Sequence, residues 1–262
     1  MRQSKPGQSH IYKPVLFTIG AFLLTWGCVF ALESTYLFSY EMPRPLVTLL
    51  DFTKSASPLI VALLLLRKQL SKKGFLLRYV FGERQSPARY VVVTLLFLLQ
   101  FFVFYFFRPE AVTLTAPLFL STFAGQFFFG GGMEEGGWRG YLFPALSLRM
   151  PVLLASAITS VIWSLWHLPY FIIPSSYQYG SNFLAYTFIT IMLGFMLSAV
   201  YLLTKSVLLC TLFHAFSNTA VMTMQADMSN LALLAAYAAL AIVGAVLCQV
   251  LIGRESKARS TR

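Results

Sequence analysis

Charge is what this chain has least of. Asp, Glu, Lys and Arg make up 11% of its 262 residues, less than half the roughly 25% of a soluble domain. That shortage excludes an ordinary globular domain, whose surface needs charge to face water. No acidic tail, low-complexity tract or soluble stretch of domain size interrupts the chain. Cysteine is also scarce. Cys28, Cys210 and Cys248 all lie in apolar runs, and none belongs to a C-x-x-C pair. A disulfide framework or thiolate metal site is excluded on that ground, leaving three small buried apolar residues. With three histidines and nine acidic residues in all, any chemistry has few groups to draw on.

What is abundant is apolar sequence, at 58% of residues. Runs of about twenty apolar residues are long enough to cross a bilayer as helices. They fall at about 15–38, 46–66, 90–107, 115–146, 151–173, 183–203, 206–225 and 231–252. This pattern predicts an all-α, polytopic, multi-pass integral membrane protein of about eight transmembrane helices. Residues 1–262 are read as a single transmembrane domain. The first run is too long for a signal h-region and lacks a small-x-small cleavage site, so it is read as an uncleaved helix.

The net charge of +11 invites a nucleic-acid reading, but its distribution argues for a membrane. Sixteen Lys and Arg residues fall in the tails and alternate loops on one side, seven of them in the 67–89 loop. Only Arg44 and Arg108 fall on the other side. Positive charge gathers on the cytoplasmic side, so both termini are predicted to be cytoplasmic. The expected partners are the lipid bilayer and whatever the membrane presents, not nucleic acid. Nothing in the sequence sets an oligomeric state.

The few polar groups within the runs cluster. Glu33 lies near the far end of the first run, and Asp51 and Lys54, three apart in the second, are placed to pair. The densest group is Gly130-Gly-Gly-Met-Glu134-Glu135-Gly-Gly-Trp-Arg139-Gly140. Charge at membrane depth costs a few kcal/mol per group even on lenient scales, and marks function by default. Glu135 and Arg139 are four apart and can pair on one face, while Glu134 points about 100° away. One guanidinium cannot neutralise two carboxylates, so Glu134 is left for acid–base work. The surrounding glycines, including Gly132, Gly136 and Gly140 in G-x-x-x-G spacing, permit close helix packing. They also leave room for water or a substrate chain. Two further groups are Trp163-Ser-Leu-Trp-His167 and His214-Ala-Phe-Ser-Asn218. His214 and Asn218 share a face and offer two donors at one point. Trp163 is placed to orient the His167 imidazole or simply to fill space.

These three motifs, in this order, resemble those of the CPBP family, also called the ABI or type II CAAX-protease family. The family pattern is E-E-x-x-x-R, then an aromatic-x-x-x-H, then H-x-x-x-N/D. Trp163 stands where many members have Phe, and the flanking Gly-Trp-Arg-Gly-Tyr-Leu-Phe-Pro is similar to bacterial members. The resemblance implies an intramembrane endopeptidase with a catalytic core at about 115–225, in the bacterial cytoplasmic membrane. Its substrate would be a membrane-associated peptide or protein. Some bacterial members are linked to bacteriocin or pheromone processing and self-immunity. By resemblance, Glu134 activates a water held with His167, His214 and Asn218 stabilise the oxyanion, and Glu135 and Arg139 position Glu134.

The residues alone leave alternatives open. No H-E-x-x-H zinc signature is present, and a metal-free reaction without cofactor is expected. A zinc site made by Glu134, His167 and His214 is the alternative. A proton-coupled transporter and a catalytically idle immunity or partner protein are the readings of another class.

Overall fold

In lipid every backbone polar group must be satisfied within the chain, so apolar runs fold as helices. The computed structural model describes residues 8–39, 41–110, 112–227 and 230–260, with side chains between 13 and 251. The tail residues Arg2, Lys5 and Arg262 and the side chains of Arg254, Lys257 and Arg259 lie outside the described residues. All regular structure among the described residues is helical. The elements before the motif are α1 (Gln8–Leu37), α2 (Arg44–Leu65), α3 (Arg67–Leu70), α4 (Phe75–Phe81), α5 (Pro87–Phe106) and α6 (Ala116–Phe128). A 3₁₀ turn (Gly131–Glu134), α7 (Glu135–Gly137), a π-helical turn (Trp138–Leu142) and α8 (Phe143–Ser147) carry the motif. After it come α9 (Val152–Trp166), α10 (Pro169–Ile172), α11 (Phe183–Thr204), α12 (Val207–Met224) and α13 (Leu231–Ser260).

Six of these helices are long and apolar enough to cross a membrane: Lys13–Leu37 of α1, then α2, α5, α11, α12 and Leu231–Leu251 of α13. Large apolar side chains such as Leu23, Phe106, Leu184 and Ile242 stand exposed on their outer faces. In a membrane protein that shell faces lipid. The protein is an integral, multi-pass membrane protein.

The fourth and fifth apolar runs differ from single spans. Residues 115–146 do not form one helix. α6 has 13 residues, about 20 Å at 1.5 Å per residue, and stops at Phe128. Gly130 takes an extended conformation, and a new helix starts at Gly131. Three consecutive glycines weaken the helix here, a signal that hydropathy does not register. The fifth run is likewise cut at Trp166, with His167 capping α9 before Pro169 opens α10.

The broken segment is held from several sides. Gly137 lies so close to α2 that a Cβ there would run into the Pro58 backbone. A Cβ on Gly136 would meet Leu59, and one on Gly140 would meet Tyr79. These three glycines therefore serve close packing. The Tyr79 hydroxyl donates to the Gly136 carbonyl, so α4 is docked against the motif. α4 is itself pinned to the α11–α12 turn, where Ser206 Oγ donates to the Val80 carbonyl at 2.9 Å. The rotation of α12 is set by a buried chain: Ser217 Oγ donates to Gln100 Oε1 at 3.0 Å, and Gln100 Nε2 donates to the Tyr237 hydroxyl at 3.3 Å. With Ser217 facing α5 and α13, His214 and Asn218 face the broken segment.

Candidate active site

Glu134, Glu135 and Arg139 are all buried. Arg139 Nη1 donates to Glu135 Oε1 at 3.1 Å, the pairing that their four-residue spacing predicts. Its Nη2 lies 3.5 Å from the Gly194 carbonyl of α11, and the guanidinium sits 5.0 Å from the Trp163 ring centre. Glu135 Oε1 also accepts from His214 Nδ1 at 2.8 Å. The ion pair thus reaches across to α12 and fixes the His214 ring.

Glu134 has a different environment. Its Oε2 accepts from Trp163 Nε1 at 2.6 Å and from Trp138 Nε1 at 3.3 Å. Two neutral indole donors, not a cation, orient this carboxylate. Trp163 therefore does more than stack on an imidazole. It is buried, donates to Glu134, and sets its ring edge-on to His214 at 4.9 Å and to His167 at 6.0 Å. Trp138 was not singled out in the sequence, although it lies four residues after Glu134.

His167 stands at the end of α9 among aromatic rings, 4.6 Å from Trp166 and 5.3 Å from Tyr186. Its Nδ1 lies 3.0 Å from the Trp163 carbonyl. A carbonyl only accepts, so Nδ1 carries the proton and Nε2 is left as an acceptor. No hydrogen bond joins His167 to Glu134, Glu135, His214 or Asn218 among the described residues; the Trp163 ring contacts both imidazoles.

His214 and Asn218 meet at Gly131. A Cβ on Gly131 would fall against His214 Nε2 and Cε1 and 2.7 Å from Asn218 Nδ2. The missing side chain lets both groups close on the Gly131 backbone. Of the motif glycines, Gly131 is covered by His214 and Asn218, whereas Gly136, Gly137 and Gly140 are covered by neighbouring helices. Asn218 Nδ2 donates to Gln126 Oε1 at 2.9 Å, and Gln126 Nε2 lies 3.4 Å from Met222 Sδ. Gln126 was missed in the sequence because it precedes the motif and reaches Asn218 only through the break at Gly130. Among the described residues no three His, Cys, Asp or Glu side chains gather as a metal-ligand set. Glu134, His167 and His214 thus do not converge that way.

This site lies within a matched region. A family model described as type II CAAX prenyl endopeptidase Rce1-like matches residues 115–220. A curated relative, CAAX prenyl protease 2 of Methanococcus maripaludis, is 28% identical over 251 residues, covering 80% of this chain and 84% of that protein. The region that carries the site is thus similar to the type II CAAX prenyl endopeptidases. Both similarities support protease activity, with a peptide or protein as substrate.

Two expectations concern how this site is held. Arg139→Lys keeps the charge but loses the planar fork that addresses Glu135 and Gly194 together. A stability loss of about 1–2 kcal/mol is expected, read as a lower thermal midpoint in detergent. Gln126→Leu removes the acceptor that orients Asn218. We expect kcat to fall about three- to tenfold, the worth of one neutral hydrogen bond, with KM unchanged. Gln126→Glu, which keeps an acceptor, should restore most of the rate.

Proposed function

We propose that the protein hydrolyses a peptide bond of a membrane-associated polypeptide with a water activated by Glu134, and that His214 and Asn218 hold the oxyanion. The observation that carries this reading is the convergence of His214 Nε2 and Asn218 Nδ2 over the Gly131 backbone, beside Glu134. Amide hydrolysis needs a base, donors aimed at the developing oxyanion, and an acid for the leaving amine. Glu134 Oε2 is occupied by two indoles, which leaves Oε1 for water. The carboxylate takes a proton as the water oxygen bonds to the carbonyl carbon, and the carbonyl electrons move to the oxygen. When the tetrahedral adduct collapses and the C–N bond breaks, Glu134 returns that proton to the amine. His167, with its proton on Nδ1, offers Nε2 to accept the second O–H of the water.

His214 carries a condition. Its Nδ1–H is given to Glu135, so it donates from Nε2 only when doubly protonated, with Glu135 as counter-ion. The same contact favours a second reading, in which neutral His214 takes the proton at Nε2 and Glu134 acts as the acid. The two differ in what Glu134→Gln leaves behind: under the second reading, hydrolysis of an activated ester, whose leaving group needs no proton, survives.

We place no metal in the reaction. Support comes from the use already made of Glu134 Oε2 and His214 Nδ1. The zinc version predicts loss of cleavage in chelator and recovery with added zinc. We further place the chain as a single transmembrane domain crossing the bacterial cytoplasmic membrane eight times, both termini inside and the catalytic core at about 115–225. The relative's name points to prenylated substrates, and the bacterial look of the motif flanks to bacteriocin or pheromone precursors. The test reconstitutes the purified protein with a labelled membrane-inserted peptide and follows cleavage and proton flux together. Cleavage without flux is expected. Flux without cleavage sides with a transporter, and neither, in a protein that still confers immunity in cells, with an idle partner.

A further inference from the structure

One charged group has no part in this reaction. Glu33, in the last turns of α1, is only 4% exposed. Its Oε2 accepts from Ser175 Oγ, and its Oε1 has no hydrogen-bond partner among the described residues. An unpaired carboxylate oxygen at that burial is costly unless something donates to it. Glu33 lines a cavity of about 520 Å³ between α1, the start of α2 and the chain around α10. That is within the usual size for a ligand site.

The cavity's other charges do not answer Glu33. Lys54 Nζ is held by Asp51 at 2.7 Å, so the pair is neutral and the cavity keeps one net negative charge. Tyr36 and Tyr170 also line it, and aromatic faces attract cations; Lys54 Nζ already lies 5.8 Å from the Tyr170 ring centre. With Lys54 already engaged by Asp51, the buried Glu33 oxygen and the ring faces favour a group that brings N–H donors and positive charge. A bound metal ion would want three or more such ligands, and among the described residues no such set exists.

The cavity adjoins the reaction. The Tyr170 ring lies 5.9 Å from the His167 ring, so Tyr170 is a wall shared with the site that holds the water. A polypeptide bound across that site extends past Tyr170. We propose that this cavity is a specificity subsite for a basic residue of the substrate, with the ammonium or guanidinium of a lysine or arginine seated on Glu33. The assignment rests on the endopeptidase reading for the identity of the occupant.

The test uses full-length protein in nanodiscs. Fluorescein-labelled leucine–alanine peptides carry one lysine moved through the sequence, and a matched set carries norleucine instead. Binding is measured on Glu134→Gln protein, so it does not depend on turnover. The best-placed lysine peptide is expected to bind about tenfold or more tightly than its norleucine match, the usual worth of a charge-assisted hydrogen bond. Adding Glu33→Gln should bring the ratio to about one while norleucine binding stays unchanged. As a second measurement on unaltered Glu33, carbodiimide should cross-link the peptide lysine to Glu33, located by mass spectrometry. Equal binding of the two sets, a ratio that survives Glu33→Gln, or lysine cross-links that avoid Glu33 would each overturn the subsite. Absence of cleavage by the parent protein would count against the hydrolytic reading alone, because the binding arm still reports on the cavity.

Discussion

Replacing Glu134 by glutamine is expected to lower kcat for peptide cleavage by about 10²–10⁴, the range attributed to a positioned general base. The substitution keeps size and shape. The glutamine carbonyl can accept the same indole N–H groups from Trp163 and Trp138, so the fold has no reason to change. What is lost is the ability to take a proton from water and return it to the amine. Peptide binding should therefore survive, with KM near the parent value and an unchanged thermal midpoint. Glu135→Gln is the useful contrast. It strips the counter-charge from buried Arg139 and the acceptor from His214, so it should weaken stability as well as rate. Parent-like turnover by Glu134→Gln in single-turnover measurements would remove Glu134 from the chemistry.

The sequence made the local contacts legible. Residues four apart on a helix share a face, and this spacing brings Arg139 to Glu135 and sets His214 beside Asn218. The all-helical class followed from run length and the absence of charge. Contacts made through the break were not legible in the same way. Phe129 and Gly130 sit inside an apolar stretch, and hydropathy scores composition without seeing where the backbone leaves the helix. Gln126 reaches Asn218 only because α6 ends there. The sequence leaves Trp163 between orienting His167 and filling space, because a lone aromatic gives no direction; its indole N–H meets Glu134 only once α9 packs beside the motif. Trp138 was readable from its spacing to Glu134 and was overlooked. The glycines read as one set and serve two purposes, since their spacing does not say whether a neighbouring helix or the site's own histidine and asparagine cover each bare face. Even the four-residue rule fixes only the partner on the same helix. That His214 takes Glu135 as well depends on the rotation of α12, set by Ser217, Gln100 and Tyr237 far along the chain.

That division makes Gly131→Ala the sharpest test of the oxyanion site. The backbone at Gly131 is not in the left-handed region, so alanine brings no conformational strain and acts only through space. Its Cβ would lie against His214 Nε2 and Cε1 and Asn218 Nδ2. Neither neighbour yields easily, because His214 is tied to Glu135 and Asn218 to Gln126. The methyl can be admitted only by pushing the two donors off line. That removes transition-state stabilisation, and kcat should fall by about 10²–10³, as for loss of an oxyanion donor elsewhere. The stability cost should stay at about 1–3 kcal/mol, typical of overpacking. Gly125→Ala is the matched control. It lies in α6, five residues before the break, and its Cβ would meet nothing within 4 Å. It should leave kcat alone and stabilise the helix by up to about 1 kcal/mol. If both alanines behave alike in kcat, the contact over Gly131 is packing and the oxyanion is held elsewhere.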